Sequence, residues 1–519
     1  MKFRLLLASA VLATASISAY ADTFYVSPEG AGEKTGADEA NAMDIAALRD
    51  HAKALTQDQN NTYIFAGGTY SIETCITFAT KTAPTLVGNT NGERTVFDAT
   101  AQNAETPASN YTAGIIYVQA ATKDQSAAET KERPVKISNI DFCNLTNSTS
   151  KNGATGNGNK ILSAIAIENS GYVEIEGCTF KNNKITTTQG GPAICSYRST
   201  MYVRNCTFEG NTAADRGGAI MTASDNKEKG KSVFENCLFK HNSVEGNMGG
   251  AVFSNSIHSN TFVDCTFTGN SAAGQGSVLF CNGKDKDYNR YNAFINCTIA
   301  DNPCTEGSVI MLGNGANPGQ LYLINNIIVE KAEARAAEGS VISSNGTADL
   351  NLVSGGYNYL GVVENAPEGW AQTTDRTDKD YASIFGTHTL NANTGTIKPD
   401  EFVKGATSAE ITAAIAEWPI PAGVTIATRE GETSVGAGAF TQQQVSTGIA
   451  DIANDADAVK VIALGGGNYT VAGYEGAVEV YSVSGARVLT AVAPELNLSG
   501  LASGVYIVRA GKTVAKVVR

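Results

Sequence analysis

The sequence predicts an all-β protein: a right-handed parallel β-helix solenoid with an N-terminal helical cap, followed by a small antiparallel β-sandwich. Three observations lead there. A phrase centred on one cysteine recurs along the middle of the chain. A second phrase of glycine, a small residue and a β-branched residue follows each copy. After about residue 445 the repeat gives way to short strand patterns separated by turn signals.

The cysteine phrase sets the architecture. Cys178, Cys206, Cys237, Cys265 and Cys297 lie 28, 31, 28 and 32 residues apart. Three residues before each stands a large apolar side chain (Ile175, Val203, Phe234, Phe262, Phe294), and two residues after stands another (Phe180, Phe208, Phe239, Phe267, Ile299). In a continuous strand, positions three apart point to opposite faces. Immediately before each cysteine, however, comes Gly177, Asn205, Asn236, Asp264 or Asn296. These residue types tolerate left-handed backbone geometry. One such residue bends the chain so that both apolar positions face inward. Two further copies, Ile137–Phe142 and Leu323–Ile328, put Ile140 and Asn326 in the cysteine slot, which marks that slot as a small interior position.

The second phrase (Gly217–Ile220, Gly249–Val252, Gln275–Val278, Glu306–Val309) reads as a turn followed by a third strand. Asn183, Asn211, Asn242, Asn270 and Asn302 are read as residues of the turn before it. Repeats of this length without helical patterning indicate a solenoid, one unit per coil. Roughly ten coils rising about 4.8 Å each make a rod on the order of 50 Å. The cysteine spacing is unlike a C-x-x-C zinc pattern, so no metal is expected on the cysteines. Pairing among Cys75, Cys143, Cys195, Cys281 and Cys304 stays open.

Each end has its own pattern. Residues 1–21 carry Lys2 and Arg4, a largely apolar stretch and an A-x-A site ending at Ala21, as in a cleaved secretory signal. No later apolar run reaches the roughly 18 residues of a membrane helix. Residues 22–444 are assigned to the β-helix with its caps. Within them Ile45, Leu48, Ala52 and Leu55 fall on one helical face behind the N-cap Asp44, suited to closing the open end of a solenoid. His51 is placed on the exposed side of this helix. The stretch 408–418 reads as a second helix, and Asp375, Asp378 and Asp380 as a solvated loop lacking the spacing of a calcium-binding EF-hand. Residues 445–519 form the terminal module.

The net charge of −13 argues against a nucleic-acid partner. No cofactor is implied and no catalytic residue is assigned. Asp215-Arg216 reads as a turn ion pair. Polar insertions at 223–232 and 281–290 flank a coil containing His258. They suggest two ridges beside a shallow groove lined by Lys227, His258, Tyr288 and Tyr291.

Three resemblances add to this reading. The G-G-A-[IV] and F-x-x-N phrases, at Phe180–Asn183, Phe208–Asn211, Phe239–Asn242, Phe267–Asn270, Gly217–Ile220 and Gly249–Val252, resemble repeats of the chlamydial polymorphic outer-membrane proteins. That resemblance implies a surface β-helix implicated in adhesion, although the family's C-terminal barrel has no counterpart pattern here. "FYVSPEG", "YIFAGGTY", "GGYNYLG" and "SVGAGAF" look like the start, first coil and end of secreted pectate-lyase-like β-helices. The last residues, with Val480–Gly485, Gly504, Tyr506 and Lys516–Arg519, resemble the sorting domain of type IX secretion substrates, which implies the secretion machinery as a partner.

The expectation is therefore an exported, non-catalytic, adhesin-like protein of the bacterial surface or extracellular space that binds a glycan or cell-surface ligand. The alternative is a lyase or hydrolase of acidic polysaccharide. The local phrases of such enzymes (N-T-D, D-D, a His-Gly pair, R-I-K) are absent from the sequence.

Overall fold

A computed structural model describes residues 22–56, 59–79, 81–102, 114–120, 134–147, 163–186, 190–224, 230–282, 290–314, 319–331, 340–345, 350–377, 379–385, 405–421, 424, 460–465, 468–472, 476–482, 486–501, 505–511 and 513–518. The chain divides into two units, Met1–Gln442 and Gln443–Arg519.

The first unit is a parallel β-helix. Sheet 1 has eleven strands, from Thr23–Val26 to Asn351–Gly356. Sheet 2 has ten, from Gly68–Ser71 to Tyr359–Leu360, and sheet 3 has nine, from Ile76–Thr77 to Ile342–Asn345. In each sheet neighbouring strands follow in sequence order and pair in parallel, one coil apart. A representative coil runs Val173–Glu176 in sheet 1, Thr179–Lys181 in sheet 2 and Ile194–Tyr197 in sheet 3. Between the last two lies a short strand, Lys184–Ile185, belonging to a fourth sheet of five two-residue strands that the sequence reading did not separate from its turn.

The bend from sheet 1 to sheet 2 is where the repeat phrase placed it. Asn139, Gly177, Asn205, Asn236, Asp264, Asn296 and Asn325 all have φ between 50° and 63°. A second left-handed column, Asn144, Asn182, Gly210, His241, Gly269 and Asp301, closes sheet 2. Inside, phenylalanines of successive coils stack nearly parallel. Centroid separations are 5.1, 5.0, 4.6 and 4.5 Å along Phe142, Phe180, Phe208, Phe239 and Phe267. All ten cysteines are free thiols, and the five of the ladder are buried. Burial pushes the thiols of Cys206, Cys237 and Cys265 well up, the state of an inert interior group rather than a nucleophile.

The asparagines assigned to turns prove to be interior. Asn183, Asn211, Asn242, Asn270 and Asn302 are fully buried and form a directional ladder. The first four donate through Nδ2 to the Oδ1 of the next coil's asparagine, at 2.9–3.0 Å. All five donate to a phenylalanine carbonyl of the preceding coil. The ladder ends at buried Glu330, which accepts from the N–H and Nδ2 of Asn302.

The N-terminal end is covered as its pattern implied. Helix Ile45–Ala54 buries Ile45, Leu48 and Ala52, and Asp44 accepts from the Ala47 N–H at 2.8 Å. His51 is half-buried against Phe24, at 4.4 Å between rings, rather than fully on the surface. Asp375 departs from expectation. It is buried and accepts from Asn358, Ser354 and the Gln372 N–H, closing a polar column that runs from the Cys297 N–H through Asn326 and Asn358, instead of standing in a solvated loop. Asp378 lies outside the described residues, and Asp380 caps the short helix Tyr381–Phe385.

The second unit holds a three-stranded and a four-stranded antiparallel sheet. Val471, Val478, Val480, Leu496 and Val508 from both sheets share one core, which makes a sandwich. Tyr506 is buried in strand Val505–Ala510, and Lys516 pairs with Ile507 in the last strand. Ala21, Gly485, Gly504 and Arg519 lie outside the described residues.

Candidate functional site

Alternation along sheet 1 sends every second side chain outward, and in-register stacking collects these into columns. One column runs Lys136, Glu174, Tyr202, Val233, Thr261, Ala293, Tyr322 and Val353. Its neighbour runs Ser138, Glu176, Arg204, Glu235, Val263, Ile295 and Ile324. The second column changes from charged to apolar between the strands Lys231–Glu235 and Ser259–Val263, and the first carries no charge beyond Glu174.

The reason lies in the segment after the last coil. Helix Ser408–Ile415 starts in a capping box formed by Thr407 and Glu410. It lays Ile411 and Ile415 on Val263, Ile295 and Ile324. Trp418 and Ile420 cover Tyr291, Ala293 and Tyr322, and the Ala406 N–H donates to Asn325 Oδ1 at 2.7 Å. On sheet 2, Tyr381, Ile384 and Phe385 cover Ala300, Ile327 and Val329 in the same way. The C-terminal coils are thus roofed on two outer faces, while the charged coils of sheet 1 carry no such roof among the described residues.

That uncovered face has defined chemistry. Lys136 pairs with Glu174 at 3.0 Å, and Arg204 with Glu235 at 2.6 Å. Tyr172 Oη donates to Glu174 Oε1 at 2.7 Å. The rings of Tyr172 and Tyr202 lie 5.0 Å apart, and the Arg204 guanidinium sits 5.5 Å from the Tyr202 centroid. Burial and the neighbouring Glu174 carboxylate push the Tyr172 phenol up to about 12. Partial burial works against ionised Glu174, but hydrogen bonds from Tyr172 and Lys136 outweigh it and hold the carboxyl below its usual range. Glu174 stays ionised beside Lys136, and Glu235 is paired with Arg204. Among the described residues no three His, Cys, Asp or Glu side chains converge to hold a metal. The face offers hydrogen-bonding and aromatic contact over several coils, with Glu174 and Glu235 paired to Lys136 and Arg204.

The sequence-predicted groove is not assembled. His258 is fully buried, with its Nε2 2.8 Å from Ser232 Oγ, and burial depresses its pKa to about 3. Tyr291 is only 2 % exposed, beneath Trp418 and beside Tyr322. Neither lines a surface: the first fills the interior corner between sheets 3 and 1, and the second is the floor under the roof. Lys227 and Tyr288 lie outside the described residues. Asp215 and Arg216 form the expected ion pair at 3.2 Å, with Arg216 also over the Phe253 ring. The uncovered face escaped the sequence reading, although the alternation in "VEIEG" and "YVRN" marks Glu174, Glu176, Tyr202 and Arg204 as outward-facing.

Comparison with known proteins supports the repeat. Residues 205–223 and 264–282 match the Chlamydia polymorphic membrane protein repeat. Among solved structures, the crystal structure of pectate lyase Pel9A aligns over 81 % of this chain and 96 % of that one, at 12 % identity and a TM-score of 0.36. No curated protein matches. The solenoid assignment rests on the sheets themselves, which define a parallel β-helix protein. None of the helices among the described residues is long and apolar enough to cross a membrane.

Proposed function

We propose that this chain is an exported β-helix protein of the bacterial cell surface or extracellular space that binds glycans, or surfaces bearing them, without transforming them. The observation that carries this reading is the uncovered outer face of sheet 1. Over Lys136, Glu174, Tyr202, Arg204 and Glu235 the columns stay charged and aromatic, whereas the later coils are apolar and roofed. Repeats like those of a surface protein family support the location. So do the leader ending at Ala21 and the terminal module with Gly485, Gly504, Tyr506, Lys516 and Arg519, read as a sorting signal. Polysaccharide cleavage is the second reading, because Glu174, Glu176 and Glu235 share one face with Lys136 and Arg204. The internal pairing of Glu174 and Glu235 favours binding. Purified protein applied to a glycan array tests the proposal. Binding that a Tyr202→Ala/Arg204→Ala double variant loses supports it, and binding unchanged in that variant removes this face from the account.

A further inference from the structure

Next to this face, around the corner onto sheet 3, three successive coils place Gln119, Glu168 and Tyr197 in register. Tyr117 reaches across from the same sheet. Its Oη donates to Glu168 Oε2 at 3.2 Å and lies 3.5 Å from Gln119 Oε1. Arg198, at φ 51°, holds its guanidinium 4.7 Å from the Tyr197 ring centroid, and its charge acts on Glu168. The neighbouring outward column of sheet 3 is apolar: Ala166, Cys195, Met221, Phe253 and Phe280 form one cluster. A carboxylate among such groups has lost much of its hydration. Burial raises its pKa, with Tyr117 and Arg198 opposing the shift. Glu168 Oε1 receives no hydrogen bond from any described residue, and an acceptor in that state gains from any donor brought to it.

We infer that Glu168, Gln119, Tyr117 and Arg198 form a subsite for a neutral pyranose, held through two adjacent hydroxyls. Each hydroxyl is at once donor and acceptor. One donates to Glu168 Oε1, and its neighbour accepts from the Gln119 amide or the Arg198 guanidinium. Charge selects this ligand. An anionic sugar meets the Glu168 carboxylate and a cationic one meets Arg198, so a neutral diol alone matches both. The inference rests on the glycan-binding reading above and names the sugar class at one end of that surface.

The test uses the full chain on an array of neutral and uronate oligosaccharides, followed by calorimetry with the best-bound neutral oligosaccharide. Expected results are a preference for neutral sugars and an affinity loss of tenfold or more in Glu168→Gln. Arg198→Met should show a similar loss, with both variants melting as the parent protein does. Tyr117→Phe, which keeps the ring and removes one donor, gives a smaller loss and serves if either variant folds poorly. A preference for uronates overturns the subsite. So does parental affinity in both Glu168→Gln and Arg198→Met while Tyr202→Ala/Arg204→Ala loses binding, a result that leaves the broader function standing. If the parent protein binds no oligosaccharide, the broader function falls and takes the subsite with it.

Discussion

Replacing Asn242 with alanine cuts the interior ladder at its centre. In the intact protein Asn242 Oδ1 accepts from the Asn211 N–H at 3.1 Å and from Asn211 Nδ2 at 2.9 Å. Its own Nδ2 donates to the Phe208 carbonyl and to Asn270 Oδ1, both at 2.9 Å. Asn211 Nδ2 keeps the Phe180 carbonyl after the substitution, but the Asn211 N–H loses its partner in a fully buried site. An orphaned buried amide costs about 1–3 kcal/mol. The weakened Phe208 carbonyl and the void left by the amide add about 1–2 kcal/mol. The expected loss is about 2–5 kcal/mol. Asn242→Asp should cost at least as much, because it keeps the acceptor but buries a charge with no cation. Both tryptophans, Trp370 and Trp418, belong to the first unit, so urea unfolding followed by tryptophan fluorescence reports on the solenoid alone. A loss below about 1 kcal/mol for Asn242→Ala would mean that the ladder merely accompanies the fold.

Phe239 stacks between Phe208 and Phe267, and Phe239→Ala should cost about 3–5 kcal/mol in the same urea assay. His258 is held neutral by burial, with a folded pKa of about 3 against an ordinary 6.5. Its stabilisation is therefore complete above about pH 6.5 and is lost as pH falls toward 3. Protonation costs on the order of 5 kcal/mol across that window. His258→Gln should flatten stability against pH between about 6.5 and 4 relative to the parent, and parallel curves would contradict the assignment. Asn236 has φ 50°. Asn236→Gly should fold, whereas Asn236→Val should lose about 2 kcal/mol or more, measured by urea midpoint. Iodoacetamide should leave the ladder thiols of the native protein unmodified, and mass spectrometry after unfolding should count ten; fewer would reveal a disulfide.

Those experiments address features that were unequally visible in the sequence. The bend was legible because left-handed geometry selects residue type locally: Gly177, Asn205, Asn236, Asp264 and Asn296 announce themselves one by one. The fate of Asn183, Asn211, Asn242, Asn270 and Asn302 was not, because asparagine suits both a turn and a buried ladder. The choice depends on what the next coil offers. The helix at 408–415 was readable from its own pattern, but its docking place was not. Val263, Ile295 and Ile324 adjoin the interior residues Phe262, Phe294 and Leu323, so their outward direction is hidden within apolar runs. For the same reason Tyr291 passed for a groove residue. The polar insertions drew attention to His258, yet the corner beneath them closes over its ring. Glu168 gave no local signal, since its setting comes from Tyr117 and Arg198 in neighbouring coils.

The central functional claim is recognition without turnover. Polysaccharides that bind the purified protein, neutral and uronate alike, should be incubated with it and assayed for new reducing ends and for absorbance from unsaturated uronides. The account predicts bound chains recovered at their original length, with neither signal above a protein-free control. Shortened chains or rising uronide absorbance, abolished by changing Glu174, Glu176 or Glu235, would contradict it and make this face an active site.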